Sequence, residues 1–324
     1  MARSICRPSE TSWARKPVGR SAPSSKRSTR KNKVADTRRG FLAGAIGAGC
    51  AMALSGPLGA APLARVRELG VLRVGLYADN RPWSWDLGGG RPAGIDVDLA
   101  MAIAEQLGVR SEIALFTADE ELSDDLRNVI WRGGLLGFRR CDLMLHVPFD
   151  MQLSAREDQV VFVAPYYREE FTALCSSDAR DCEMPPQRFV GSRVAAEIDS
   201  VPDFYLVGGF GGILRGDVAH YPNGYSAAVA VHDGEATMAV ATRAQIEASI
   251  AERSGSGAKL RKSPLPMMPS PGWDIGMAVR EDSRTLGFAV EDIVTAMTAD
   301  GRMAALFAKH GVTWQAAAAT RTIG

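Results

Sequence analysis

Strand and helix signals alternate along most of this 324-residue chain, and that order predicts an α/β protein with largely parallel sheets. Short apolar runs rich in β-formers recur, "VLRVGL" and "CDLMLHV" among them. Between them lie segments whose apolar residues fall four apart, as on one face of a helix. Gly, Pro and Asp clusters mark the joins. In order, residues 71–76 read as a strand and "DLGGGRPAG" as a turn. Asp96 stands where a helix N-cap belongs, ahead of Leu99, Ile103 and Leu107, and Gly108 closes that helix. A strand near 112–116, a helix across 121–136 and the strand "CDLMLHV" follow. "QVVFVAPYYREEFTALC" reads as a strand, a turn at Pro165 and a second extended segment.

From Val190 the pattern restarts. "GSRVAAEI", "DVAHYP" and "ATMAVAT" read as strands, with helices at "SVPDFYLV", "SAAVAVHDGE" and "RAQIEASIAE". A connection rich in Gly, Ser, Lys and Pro leads to the strand "WDIGMAVRE". Two helices, about 283–298 and 302–309, are split by Asp300-Gly301. No short internal repeat is visible.

Ahead of this region the chain is different in kind. Thr37-Arg38-Arg39-Gly40-Phe41-Leu42 precedes the small-residue apolar run "AGAIGAGCAMALSGPLGAA". Paired arginines before a modest apolar segment resemble a twin-arginine export signal, and the run is too short and too rich in Gly and Ala for a good membrane span. Residues 1–61 are therefore expected to be a basic leader and signal peptide, cleaved near Gly59-Ala60-Ala61, and the protein to be periplasmic. Cys50 raises the alternative of a lipoprotein, although Gly47 stands where a lipid-anchoring signal usually has Leu.

The remaining length allows two domains of ordinary size. Many of the chain's Lys and Arg residues lie in the leader, so the rest is acidic although the formal net charge is +1. That balance argues against a nucleic-acid partner. Of the cysteines beyond the leader, Cys175 and Cys182 in "CSSDARDC" either close a small loop or stay free, and Cys141 reads as a buried thiol. His146, His220, His232 and His310 are scattered, none at ligand distance from a cysteine, so neither a metal nor another cofactor is expected.

Four landmarks taken together resemble the family 3 periplasmic solute-binding proteins, the amino-acid-binding components of ABC importers. They are "LRVGLYADNRPWSW…GIDVDLAMAIAEQLG", "CDLML…LSAREDQVVFVAPYY", "GSRVAAEIDSVPDFYL" and "IGMAVRED…AVEDIVTAMTADGRMAALFAKHG". The resemblance implies a two-lobed periplasmic-binding-protein fold of type II, in which two α/β lobes joined by two hinge strands close over a ligand in the cleft between them. Lobe 1 would comprise 62–170 with the returning part 276–324, and lobe 2 would comprise 171–275.

The same resemblance places ligand-binding residues. Trp83 and Trp85 fall where the family holds its ligand between aromatic side chains, the alternative being that one of them plugs the lobe core. Arg156 falls where the family's arginine grips a ligand carboxylate with two parallel donors. A surface arginine paired with Glu157 or Asp158 is the alternative. Departures from the pattern are as informative. Leu153 replaces a Thr upstream of that arginine, and "HVPFDMQLSAR" is longer than the usual connection by about two residues. Asp199-Ser200 replaces a Gly-Thr helix start that would bind a carboxylate. Thr242-Arg243 lies where an Asp would capture the ligand's ammonium. An atypical, anionic solute is expected rather than a standard amino acid. His146 and Asp150, at the cleft end of a strand, are expected to reach a ligand or partner, or else to cap the strand and a turn.

The expected function is that of a solute-binding component of an ABC importer, a monomer delivering a small molecule to an inner-membrane permease. The alternative is an accessory protein of a periplasmic quinoprotein dehydrogenase, since such partners share "CDL" followed by "VP". Some relatives of this fold are dehydratases of cyclohexadienyl acids, whose chemistry needs a placed acid. Glu197, Asp199, His146 and Asp150 are the candidates here. The chain is nevertheless expected not to be an enzyme.

Overall fold

The structure is a computed structural model that describes residues 62–179 and 181–321. The expected leader, its paired arginines and Cys50 lie outside the described residues. The first part of the chain runs α1 (Pro62–Leu69), β1 (Val71–Tyr77), β2 (Asp79–Asn80), β3 (Ser84–Asp86), β4 (Pro92–Ala93), α2 (Ile95–Leu107), β5 (Arg110–Phe116), α3 (Leu122–Leu126), β6 (Leu143–Pro148), α4 (Met151–Arg156) and β7 (Val160–Glu169). Next come β8 (Phe171–Cys175), β9 (Val194–Glu197), α5 (Val201–Gly208), β10 (Val218–Tyr221), α6 (Gly224–His232), β11 (Met238–Thr242), α7 (Arg243–Glu252) and β12 (Lys259–Leu260). The chain closes with β13 (Trp273–Arg280), α8 (Arg284–Ala299), α9 (Arg302–Lys309) and α10 (Ala318–Arg321).

Two five-stranded sheets result, ordered β5-β1-β6-β13-β7 and β10-β9-β11-β8-β12. β1 lies parallel to β5 and β6, and β9 lies parallel to β10 and β11. β13 and β8 run antiparallel to their neighbours. The sheets are therefore mixed where fully parallel strands would need helical crossovers. The chain passes between sheets directly from strand to strand at Glu169–Phe171, and returns through irregular turns and bends between Leu260 and Trp273.

Each sheet is covered by helices whose apolar stripes the sequence spacing anticipates. In the first, Leu72, Val74 and Leu76 of β1 are buried with Leu99 and Ile103 of α2 and with Leu286 and Val290 of α8. Each such side chain contributes on the order of 1.5–3 kcal/mol when fully buried. α2 stops at Gly108, which takes the left-handed conformation (φ 74°) and turns its amide back onto the helix, as the sequence predicts. In the second sheet, alternate residues of β11 point to opposite faces, so Met238 and Val240 join one cluster while Ala239 and Ala241 join the other.

Three local expectations are corrected. Asp96 is not an N-cap: the cap is Gly94, two residues earlier, and the Asp96 side chain is buried in the helix's first turn. The helix expected across 121–136 ends early, because α3 passes into a single π-helical turn (Arg127–Trp131) and the Gly133-Gly134 pair then stops it. Pro165 makes no turn. β7 runs straight through it, and the irregularity falls on Ala164 (φ 49°), opposite a register shift between Ile275 and Met277 of β13. A proline, having no N–H to give the ladder, is tolerated at such a bulge.

Cys175 and Cys182 form a disulfide, which ties the end of β8 to the loop after it. Cys141 is a buried free thiol whose pKa burial pushes up to about 12, leaving it unreactive at neutral pH. Among the described residues no helix is long and apolar enough to cross a membrane.

Candidate functional site

The C-terminal ends of β1 and β6, where an open α/β sheet presents its loops, form the first wall of the site. The loop after β1 folds back so that the first amides of α2 bind it: Ile95 donates to the Pro82 carbonyl at 3.1 Å and Asp96 to the Trp83 carbonyl at 2.8 Å. This contact requires Gly94, since a Cβ there would stand 2.2 Å from the Trp83 oxygen and φ is 129°. Trp83 is driven inward and is only 2% exposed. Its ring packs 4.8 Å from His146, 5.0 Å from Tyr167 and 5.7 Å from Phe307. The structure thus seats Trp83 in the core of lobe 1, beneath the site.

Below it lies a buried polar group. Asp96, fully buried, accepts a hydrogen bond from the Tyr166 hydroxyl at 2.7 Å. Its other oxygen faces His146 Nδ1 at 3.3 Å, but the angle is too poor for a hydrogen bond, and both atoms remain without one. His146 sits in the left-handed region (φ 62°), a strained conformation for a side chain of this size.

The second wall belongs to lobe 2, and Arg81 joins the two. Its guanidinium lies 4.7 Å from the Trp85 ring on one side and 4.6 Å from the Tyr225 ring on the other, and it donates to Glu252 at 2.7 Å. Tyr225 also donates to Glu252. Trp85 is half-buried, so its role here is to hold Arg81 across the junction. Tyr225, Ala244 and Ala248 of lobe 2 pack into the same apolar cluster as Trp83 and Tyr167.

Around the rim, Asp199 takes φ 56° and donates its amide to Asp203 at 3.1 Å. Ser200 caps α5 through the Asp203 amide and donates to the Glu197 carbonyl at 2.6 Å. Glu197 accepts from the Gly224 amide at 3.0 Å, and its pKa is raised by burial and then by the Asp79 carboxylate of lobe 1. Asp150 caps α4, accepting from Gln152 and Leu153, both at 2.9 Å. Arg156 ends the same helix, exposed, and pairs with neither Glu157 nor Asp158 among the described residues. Arg243 is committed to Glu170, to which Nε donates at 2.7 Å, and reaches Glu247 at 3.5 Å.

Sequence reasoning missed the floor. Glu169 is 1% exposed, Tyr167 is fully buried, and the Glu169 Oε2 and Tyr167 Oη atoms have no hydrogen-bond partner. Both lie on one face of β7, two residues apart. Their run "YYREEF" reads only as extended chain, and nothing in its composition distinguishes Glu169, buried, from Glu170, half-buried. The alternation of a strand was the one available signal. A cavity of about 300 Å³, lined by Glu170, Phe171 and Arg243, borders the first crossing; another of about 710 Å³ sits at the opposite end of the first sheet, beside Arg73 and Cys141. No group of three or more potential metal ligands is found among the described residues.

No protein-family model matches the chain. The solved structures do. An ancestral cationic amino acid solute-binding protein superposes with a TM-score of 0.60 at 22% identity, covering 77% of this chain and 99% of its own. An amino acid ABC transporter substrate-binding protein from Streptococcus pneumoniae, bound to L-arginine, gives 0.55 at 18% identity, covering 78% and 98%. The fold is that of the two-lobed periplasmic binding proteins. Among curated sequences, a cyclohexadienyl dehydratase from Pseudomonas aeruginosa is 33% identical over 121 residues, 36% of this chain. The match spans 40% of that relative's length. It corrects the expectation that the chain is not an enzyme, because a sequence relative is one. None of these likenesses is to an accessory protein of quinoprotein dehydrogenases.

Proposed function

We propose that this protein is an exported binding protein that takes up a small polar solute at the junction of its two lobes. One observation carries the reading: buried side-chain atoms without a hydrogen-bond partner gather there. Arg81 Nε, Asp96 Oδ2, His146 Nδ1, Tyr167 Oη and Glu169 Oε2 lie on the strands and loops that meet at the junction, and the remaining such atom among the described residues, Arg127 Nε, lies on the turn after α3. Leaving such an atom unpaired costs about 1–3 kcal/mol, more if charged, so a cluster of them marks where polar atoms of a guest fit. The fold supports the same reading, since a cleft between two α/β lobes is a favoured ligand site. The disulfide and the basic, apolar order of the leader support export to an oxidising compartment.

The finer reading is an anionic, atypical solute held by Trp85, His146, Asp150, Arg156, Asp199, Ser200 and Arg243, with Trp83 as support, and handed to an inner-membrane ABC permease. The unpaired Arg156 favours an anion; Glu197 and Asp79 disfavour an ordinary α-carboxylate close to them. A thermal-shift screen of the mature protein tests this. Small organic anions should stabilise it and the common amino acids should not, with about 2.7 kcal/mol gained at a hundred times the dissociation constant. Tight binding of arginine or glutamate would overturn the anionic reading.

A second reading, chemistry on the bound solute, is favoured by the dehydratase relative. Incubation with cyclohexadienyl acids separates the two: appearance of the dehydrated product supports it, and binding without turnover excludes it.

A further inference from the structure

Glu169 ends the strand that leaves the first sheet, and two residues later Phe171 begins the second. A carboxyl group at this crossing is fixed between the lobes. Its Oε1 accepts from the Glu170 amide at 3.0 Å. From lobe 2, the Thr242 hydroxyl and the Ala244 amide, at the start of α7, favour its charge. Burial outweighs them and the Glu247 carboxylate adds to it, so the pKa is pushed up to about 8. The charged and titratable groups facing it are Glu170 on the crossing, Arg243 and Glu247 on α7, and Tyr167 on its own strand. Arg243, the cation of this group, is already bonded to Glu170 through two nitrogens. Nothing remains to neutralise a second carboxylate, and Oε2 closes no hydrogen bond.

We infer that the first crossing between the lobes is a proton-operated latch: neutral Glu169 lets the lobes stay apposed over the start of α7, and its ionisation drives them apart. An ionised carboxylate here is buried beside Glu247 with one oxygen unsatisfied, a costly state that opening relieves by admitting water. The sign follows from linkage. Apposed lobes bind the Glu169 proton more tightly than open ones, so apposition is favoured at low pH. That advantage shrinks as pH rises above the ordinary carboxylate range and is fully lost above about pH 8. Within the window the open-to-apposed ratio rises about tenfold per pH unit. Beyond the binding role proposed above, this would tie lobe position to the acidity outside the cell.

Small-angle X-ray scattering of the solute-free mature protein from pH 5 to 9.5 tests it. The radius of gyration should grow with pH and level off above about 8. Glu169→Gln, which keeps the neutral shape, should stay compact throughout. Glu247→Gln, which removes the repelling neighbour, should reach its plateau at lower pH and keeps the test open if the first variant fails to fold. An invariant radius in the natural protein, or a Glu169→Gln or Glu247→Gln profile that tracks it, overturns the latch. Because no solute is used, failure here leaves the binding reading to its own screen.

Discussion

A side chain's surroundings decide its chemistry at this junction more than its type does. Glu169 and Glu170 are adjacent, yet one is sealed in, with burial pushing its pKa up, while the other is half-buried and paired with Arg243. The two tryptophans of "PWSW" divide in the same way, Trp83 into the core and Trp85 under Arg81. Arg156 is the side chain for which substitution discriminates best. If its guanidinium grips an anion, Arg156→Ala should remove all stabilisation by small organic anions in the thermal-shift assay. The loss of binding should be about 2–5 kcal/mol, a usual cost of deleting one partner of a charged pair. The solute-free protein should change by less than about 0.5 kcal/mol, because the residue is exposed and unpaired. Arg156→Lys should rescue little, since an ammonium lacks the two parallel donors. Undiminished binding by the alanine variant would move the anion grip elsewhere.

Among the elements, caps and turns were the most legible. The Gly108 stop and the Asp300-Gly301 break between α8 and α9 follow from local chemistry alone. The failures share a cause. Asp96 has the composition of a cap, but the tertiary contact with Tyr166 places it inside. Pro165 has the composition of a turn, but pairing with β13 on a long stretch carries the strand through it. The disulfide was left open by spacing, since two cysteines seven apart meet only if β8 ends where it does. Closing so short a loop is worth about 2.5 kcal/mol in the chain-entropy picture. Replacing both cysteines by serine should lower stability by about that amount in urea denaturation. The second sheet should melt first by hydrogen exchange, because β8 pairs with both β11 and β12. An unchanged midpoint would show that the bond constrains nothing.

For the whole molecule, the two lobes meet through Arg81, Tyr225 and Glu252 on one side and through the crossing strands on the other. The proposed solute and the proton latch both act on this meeting. The proposed export is a separate matter, and it rests on the paired arginines of the sequence. Arg38→Lys with Arg39→Lys should abolish export, read by fractionation and by retention of the first 60 or so residues, since a twin-arginine translocase recognises that pair. Periplasmic arrival of the double variant would reject the assignment.

The α/β class, the order of the longer strands and helices and the placing of several caps were determined by the sequence alone. Each depends on side-chain period and on the conformations open to Gly, Pro, Ser, Asn and Asp within a few residues. The polar floor of the junction was not, because burial belongs to pairs of distant segments. Tyr167 and Glu169 become hidden only when β7, α7 and α9 close around them, and the same letters on an open strand would be solvated. Tertiary structure likewise decided that His146 faces Asp96 and that Tyr225 of lobe 2 covers Arg81. Those contacts span about 50 and about 145 positions of chain, and no local pattern reports on a neighbour that far away.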